Sequence, residues 1–447
     1  MRRSILLAAA GSLTLFGAWL VWPRPAPVVV ARPAVARHAA PRPSAATAEA
    51  ALAPRDLLQR TTGRGLCGTE IPPLPPGAEA PAGLPPGLHA LAVKPTAKQL
   101  SEAMAEWGIT LELGDFDLAA TAAMLEERRR PRTADDDEPE SDEADEGPWR
   151  PEQLREQGKL REALDAARRA YGRAPGPDTG LTLAQSLDDV GDTAEAKRLL
   201  ELERSRAETE HDRVWLDAQL GFMCSTRGDA ACSARALAAL ERQTAEPSLT
   251  PFTRALHLTF LGRLDEARQA YEEAMSHGRD FATLNNLGEV EACAGRLAEA
   301  RQLYVDALDM RRGPDGAAST LSGLAYTYLR DGDVAPAWLL AATALSGAGE
   351  GAHQSEPRAM LSLVALTAGD LAEARAQARL AREVNPYDDL VRRRTFGHPS
   401  EAAALKAVGA EARGDQRAAQ AAWLEVARGG HGALSAVARR ALRDLCP

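Results

Sequence analysis

The sequence is poor in aromatic residues, in cysteine and in motifs that carry chemistry. Phe, Tyr and Trp make up 4 % of the 447 residues, which argues against a β-sandwich. The five cysteines include no C-x-x-C pair, so neither a zinc site nor a thioredoxin-type motif is indicated. Patterns typical of P-loops, metalloproteases and serine hydrolases are also missing. We therefore expect no enzyme, no metal and no cofactor.

One glycine pattern imitates a nucleotide-binding loop. Residues 63–68 read GRGLCG and fit G-x-G-x-x-G, but no strand precedes them and a proline-rich stretch follows where a helix would be needed. We interpret the pattern as part of a linker and expect no small-molecule substrate. The formal net charge of −10 argues mildly against nucleic acid as a partner, although it leaves room for a locally basic face.

The N-terminus contains one long apolar run. Residues 5–22 are 18 apolar or small residues that follow Arg2 and Arg3, and Trp19 and Trp22 lie at the end of the run. This approaches the length that spans a bilayer, and aromatic residues prefer the membrane interface. We therefore expect residues 1–22 to be an uncleaved anchor rather than a cleaved signal. The protein would then be a single-pass protein of the inner (cytoplasmic) membrane.

The orientation of this anchor is open from the sequence. Arg2 and Arg3 favour a cytoplasmic N-terminus and an exported body facing the periplasm. Four arginines after the run favour the reverse, with the body in the cytoplasm: Arg24, Arg32, Arg37 and Arg42. We favour the exported body, attached through a flexible Pro/Ala/Gly-rich linker over residues 23–95.

Most of the remaining chain repeats with a regular period. Nine glycines recur 33 to 45 residues apart: Gly114, Gly158, Gly191, Gly228, Gly262, Gly295, Gly332, Gly369 and Gly414. The fifth residue after each glycine is Ala, except for Ser233. A glycine at positive φ ends one helix, an Asp that often follows it can cap the next helix, and the small residue lets two helices cross closely. The period predicts an all-α array of helix hairpins.

The stretch LNNLGEVEACAGRLAEARQLYVDAL, residues 284–308, is similar to tetratricopeptide repeats. Gly288 matches the small position of the family's first helix, Gly295 and Ala300 match its turn and crossing, and Tyr304 and Ala307 match its second helix. The resemblance covers residues 98–446. It implies a right-handed solenoid of about nine antiparallel hairpins that binds a peptide or protein segment in its concave groove and does not catalyse a reaction.

Two segments interrupt this array. We expect a first, degenerate hairpin over residues 96–131, then an acidic disordered insertion over residues 132–148, and the regular solenoid over residues 149–446. The insertion holds nine acidic residues between Asp135 and Glu146, and such a run with proline is usually solvated.

Groove positions carried over from the family give the candidate binding residues: Trp215, Phe222, Phe252, Leu256, Phe260, Asn285, Glu289, Tyr326 and Arg330. Five of them are aromatic, in a chain with only 20 aromatic residues. Aromatic anchors suit peptide recognition. The alternative is that the helix register is shifted and these rings pack between helices.

Cys224 and Cys232 lie on either side of a predicted helix–turn–helix bend. They could form a disulfide if the compartment is oxidising. The alternative is two small buried residues.

Overall fold

The computed structural model is all-helical. It describes the following residues, and no β-strand occurs among them: 83–85, 87–92, 95–106, 108–109, 111, 117–127, 150–227, 229–243, 249–310, 314–348, 351–387, 397–429 and 432–445.

Nineteen α-helices lie in the described residues: α1 (Ala97–Glu106), α2 (Leu118–Glu127), α3 (Arg150–Glu156), α4 (Leu160–Arg173), α5 (Pro177–Asp189), α6 (Thr193–Arg206), α7 (Glu210–Thr226), α8 (Ala230–Leu240), α9 (Leu249–Phe260), α10 (Leu264–Ser276), α11 (Phe281–Cys293), α12 (Leu297–Met310), α13 (Pro314–Asp331), α14 (Val334–Gly347), α15 (Ser355–Ala368), α16 (Leu371–Val384), α17 (Pro399–Ala412), α18 (Gln416–Arg428) and α19 (Gly432–Leu445). Two short 3-10 helices, Leu88–Ala92 and Gly351–Gln354, precede α1 and α15.

Helices pair in sequence order, as the glycine period predicts. Each odd-numbered helix from α3 to α17 packs most closely on the helix that follows it, and the pairs stack on one another. The seven turn glycines that the structure describes all have positive φ, between 71° and 89°: Gly158, Gly191, Gly262, Gly295, Gly332, Gly369 and Gly414. Gly114 and Gly228 lie outside the described residues. The predicted helix pairs are confirmed.

Local chemistry explains where the helices start and stop. The carboxylates of Asp370 and Asp415 accept hydrogen bonds from backbone N–H groups three residues on, which caps α16 and α18. Asp192 and Asp333 occupy the same position but make no side-chain cap. Pro175 follows the end of α4, because proline cannot continue the hydrogen-bonded ladder.

The residue five positions after each turn glycine lies at the helix crossing. Seven alanines at this position are fully buried: Ala163, Ala196, Ala267, Ala300, Ala337, Ala374 and Ala419. Ser233 is also fully buried. Ala119, the equivalent residue in α2, is only half-buried, whereas Ala122 of the same helix is buried. The α1–α2 pair therefore packs differently from the others.

That first pair does not stack at the start of the array. Instead α2 and the 3-10 helix before α1 pack against α14, far along the chain. The Trp338 indole N–H donates to the Leu88 carbonyl over 2.7 Å, and Leu125 packs against Gly347. The sequence of α14, VAPAWLLAATALSG, has no polar face, so its outer side needs cover. The described residues between 84 and 125 supply this cover as a third layer.

The first regular pair also contacts a distant part of the array. Arg161 of α4 donates from Nε to the Tyr387 hydroxyl over 2.7 Å, just beyond the end of α16. Gly351 lies against the backbone of Gln157 and Gly158 in the turn between α3 and α4. The stack therefore curves enough to bring its beginning against its seventh pair.

Within the described residues, no helix is both long enough and apolar enough to cross a membrane. The expected anchor in residues 5–22, residues 23–82 of the expected linker and the acidic insertion lie outside the described residues. The prediction of a flexible linker over residues 23–95 is wrong for its last part, because the Gly83 N–H donates to the Ala368 carbonyl over 2.7 Å and Leu88 is fully buried.

Candidate functional site

The inner side of the curved stack is formed by the first helix of each pair. Successive first helices contact one another: α5 with α7, α7 with α9, α9 with α11, α11 with α13, α13 with α15, and α15 with α17. In the described part of the chain, the second helices of neighbouring pairs make at most marginal contact. Elements on the inside of a curve lie closer together, so the first helices line the concave face.

Four of the predicted groove residues form one aromatic patch on α7 and α9: Trp215, Phe222, Leu256 and Phe260. The rings of Phe222 and Phe260 are half-buried and meet edge to face, with centroids 6.1 Å apart and planes inclined by 79°. Trp215 is 8 % exposed, and it packs with Leu256 on the buried side of the patch. This edge-to-face arrangement is favourable for aromatic rings, and it leaves part of two rings at the surface.

Phe252, on the same helix as Phe260, turns away from the groove. Its ring is buried and packs against Tyr271 of α10, with centroids 5.9 Å apart. It lies one turn before Leu256, on the side of α9 that meets its own partner helix. The prediction that Phe252 is an exposed groove residue is therefore wrong. Its ring packs between helices, as the alternative interpretation states.

The two candidates on α11 differ in exposure. Asn285 is buried, and its Oδ1 accepts a hydrogen bond from the Thr320 hydroxyl of α13 over 2.9 Å. It therefore joins two first helices. Glu289, one turn later, is half-buried. Of the two, Glu289 is therefore the one that keeps a partly accessible position.

Tyr326 of α13 is engaged across the stack. Its ring is 1 % exposed, its hydroxyl donates to Glu401 Oε2 over 2.6 Å, and it accepts from the Gly397 N–H over 2.7 Å. Arg330 Nη1 lies 3.3 Å from the same oxygen. Burial, and then the Glu401 carboxylate, raise the pKa of Tyr326 above its ordinary value. The prediction that Tyr326 is an accessible anchor is therefore wrong. Its contact with the start of α17 fills this part of the groove.

Cys224 of α7 and Cys232 of α8 are joined by a disulfide in the structure, with Cα atoms 5.6 Å apart. Asp229 lies beside them, and these three residues are the one cluster of three potential metal ligands among the described residues. Asp229 already accepts from the Cys232 N–H and the Lys197 ammonium, each over 3.1 Å, and both interactions lower its pKa. With both sulfurs bonded to each other, no thiolate remains for a metal.

His257 is a buried residue that the sequence analysis above does not single out. It lies on α9 directly behind the aromatic patch and is fully buried, with Nε2 3.4 Å from the Ala218 carbonyl. Its Nδ1 atom has no hydrogen-bond partner. Burial lowers the pKa of His257 to about 4, so the ring is neutral at neutral pH.

The sequence carried one signal for this burial, the glycine inside α7. A Cβ atom at Gly221 would lie 1.9 Å from the His257 ring, so glycine is required for α7 and α9 to approach so closely. Gly221 precedes its turn glycine by the same seven residues as Gly288 does.

Comparison with known proteins identifies the repeat. Residues 279–348 match the sequence family described as tetratricopeptide repeat. The crystal structure of yeast Tom70 is similar at 14 % identity and a TM-score of 0.37, covering 80 % of this chain and 81 % of that one. The Cut9–Hcn1 hetero-tetramer of APC/C is similar at 12 % identity and a TM-score of 0.26, covering 66 % and 84 %. The TPR domain of P58(IPK) is similar at 11 % identity and a TM-score of 0.23, covering 66 % and 96 %. No curated protein matches the chain in sequence.

Proposed function

We propose that this tetratricopeptide-repeat protein is an interaction scaffold that holds a peptide or protein segment against its concave face, and that it is not an enzyme. The binding site is the aromatic patch, in which the half-buried rings of Phe222 and Phe260 would contact the partner and the buried Trp215 and Leu256 support them. The scaffold would assemble a complex of the bacterial envelope.

The observation that carries the proposal is the pair of half-buried rings, Phe222 and Phe260. Most of the aromatic side chains that the structure describes are buried in packing, as Tyr271, Tyr304 and Trp338 are. Rings left partly open cost free energy in water and gain it when a partner covers them, which is why buried aromatic anchors dominate many interfaces. Their position on the concave face matches the groove that the family resemblance implies.

A crosslinking experiment tests this site in the cell. Crosslinking and affinity capture would compare the wild type with a Phe222→Ala, Phe260→Ala variant. The control is Leu202→Ala, a change at a 42 % exposed apolar residue on α6. Loss of a specific captured protein in the double variant alone supports the proposal. Equal capture by all three proteins, with unchanged melting curves, would sink it. Phe252 and Tyr326 stay intact because their burial would confuse loss of binding with loss of folding.

We further propose that residues 5–22 anchor the protein in the inner membrane and that its body faces the periplasm. The apolar run and the Pro/Ala/Gly-rich composition of residues 23–82 support the anchor. The Cys224–Cys232 disulfide is compatible with an oxidising compartment. The second candidate is a regulatory module that faces the cytoplasm from the reversed anchor, which the arginines after the run favour.

Fusion reporters distinguish the two orientations. Alkaline phosphatase fused after residue 447 is active only when it is exported to the periplasm. Green fluorescent protein fused at the same position is fluorescent only when it stays in the cytoplasm. Phosphatase activity in the membrane fraction supports the periplasmic body. Fluorescence without phosphatase activity supports the cytoplasmic alternative, and recovery of all protein in the soluble fraction overturns the anchor.

A further inference from the structure

We propose that the aromatic patch is occupied by a segment of the same chain, residues 23–43, when no external partner is bound. The inference rests on the proposed function, because it assigns a resting occupant to the same site. The proposed occupant is a proline-rich and positively charged segment.

The chemistry of this segment suits an aromatic surface. It reads PRPAPVVVARPAVARHAAPRP, with six prolines and four arginines. Proline-rich segments favour the polyproline II conformation and lose little entropy on docking against aromatic grooves. The guanidinium groups of the arginines are also attracted to the faces of aromatic rings through cation–π interactions. The half-buried rings of Phe222 on α7 and Phe260 on α9 form the accessible part of the patch, over the buried Trp215.

Charge is complementary between the segment and the body. Residues 1–82 contain nine arginines, no lysine and four acidic residues. Since the whole chain carries 53 basic and 63 acidic residues, residues 83–447 carry a net charge of −15. The first turns of α5 and α7 are acidic, with Asp178 on α5 and Glu210 and Asp212 just before Trp215. Acidic residues on these two neighbouring first helices favour a basic segment over a neutral one.

The chain can bring the segment to the patch. Gly83 is held on the array by a hydrogen bond from its N–H to the Ala368 carbonyl, 2.7 Å away. The 39 residues between positions 43 and 83 reach about 130 Å when extended. As a flexible coil they span about 35 Å on average. A tether of this length gives an effective concentration on the order of millimolar, so a weak intrinsic affinity is enough for occupancy.

Occupation of the patch by this segment lowers the apparent affinity of the protein for any external partner. If the segment fills the patch for about nine-tenths of the time, the apparent dissociation constant of a partner rises about tenfold. An external partner must therefore displace a basic, proline-rich segment.

Photo-crosslinking in the full chain, in detergent micelles, tests the occupant directly. Phe222 is replaced by p-benzoylphenylalanine in one variant, and Leu202 of α6 in the control. We expect the Phe222 probe to crosslink to residues 23–43 and the Leu202 probe not to do so. A mixture of isotopically heavy and light protein separates crosslinks within one chain from those between copies. Crosslinks only between copies, only to other segments, or equally from both probes overturn the proposal.

A second variant separates this inference from the proposed function. Replacing Arg24, Arg32, Arg37 and Arg42 by Glu should abolish the Phe222 crosslink and increase partner capture about tenfold. If the crosslink is absent in the wild type while capture still depends on Phe222, the inference fails and the scaffold function stands. If the crosslink forms and no capture depends on Phe222, the occupant is supported and the scaffold function fails.

Discussion

The hydrophobic core is organised differently in the N-terminal and C-terminal halves of the array. From α12 to α19, the buried apolar side chains form one continuous core that also includes Leu88, Leu100 and Leu125 of the N-terminal layer. From α3 to α10, they form several separate and smaller clusters, each of which reaches over one to three pairs. One continuous core should open cooperatively, whereas small clusters should open one by one.

The cause of the difference lies in particular side chains. In the C-terminal half, α14 is apolar on all sides, and the described residues between 84 and 125 add a third layer over it. In the N-terminal half, buried polar groups divide the core, such as the Arg155–Asp189 ion pair at 2.7 Å and the Gln185–Gln219 hydrogen bond at 3.2 Å. Partnered groups of this kind keep geometry specific but add little net stability. The proposed binding patch, with the half-buried rings of Phe222 and Phe260, lies in this N-terminal half.

Replacing one buried tryptophan in each half should give the largest contrast. We expect Trp338→Ala to lower the free energy of unfolding by about 3–5 kcal/mol, because it leaves a cavity and removes the bond to Leu88. The matched change Trp215→Ala should cost less, since its ring lies in a small cluster at the groove. Hydrogen exchange should show faster opening across α12 to α19 in the first variant and only around α7 to α9 in the second. Equally local effects in both would remove the distinction between the halves.

Acid should loosen the N-terminal half first. His257 is neutral in the folded state with a pKa of about 4, whereas an unfolded histidine has a pKa of about 6.5. The unfolded state therefore binds a proton that the folded state excludes, and stability is lost as the pH falls from about 6.5 to about 4. The loss approaches about 3 kcal/mol. A His257→Leu variant should show a flatter dependence of exchange on pH around α7 and α9. An unchanged slope would show that His257 is not the group responsible.

Reduction of the Cys224–Cys232 disulfide should also act on the N-terminal half alone. Opening a short crosslinked loop costs about 2 kcal/mol, because the unfolded chain regains freedom. We expect dithiothreitol to increase exchange in α7 and α8 and to leave α12 to α19 unchanged. A Cys224→Ala, Cys232→Ala variant should no longer respond to dithiothreitol. A response that persists in this variant would point to another group.

The sequence predicted the features that depend on neighbouring residues. The turn at Gly295, the cap at Asp370 and the crossing at Ala300 each follow from chemistry within a few positions, and all three are present. The period of these local signals was enough to place the helix pairs.

What the sequence did not predict depends on contacts between distant residues. The bond between Trp338 and Leu88 joins positions 250 residues apart, and nothing in the pattern of α1 and α2 points to α14. The groove assignment failed for Phe252 and Tyr326 for a similar reason. One position along a helix turns a ring by about 100°, and only the packing decides whether it meets a neighbour or water.

The smallest predicted effect concerns the contact that fills the groove in the C-terminal half. Tyr326→Phe removes the hydroxyl that donates to Glu401 and accepts from Gly397. We expect a cost of about 1–2 kcal/mol, because the buried Glu401 carboxylate and the half-buried Gly397 N–H each lose a hydrogen bond. A double-mutant cycle with Glu401→Gln should give a coupling energy of about 1 kcal/mol, since the two side chains touch directly. Exchange should increase at the start of α17 and stay unchanged at α7 and α9. A coupling near zero would mean that the Tyr326 hydroxyl does not hold α17 in place, and the C-terminal half of the groove would then count as accessible.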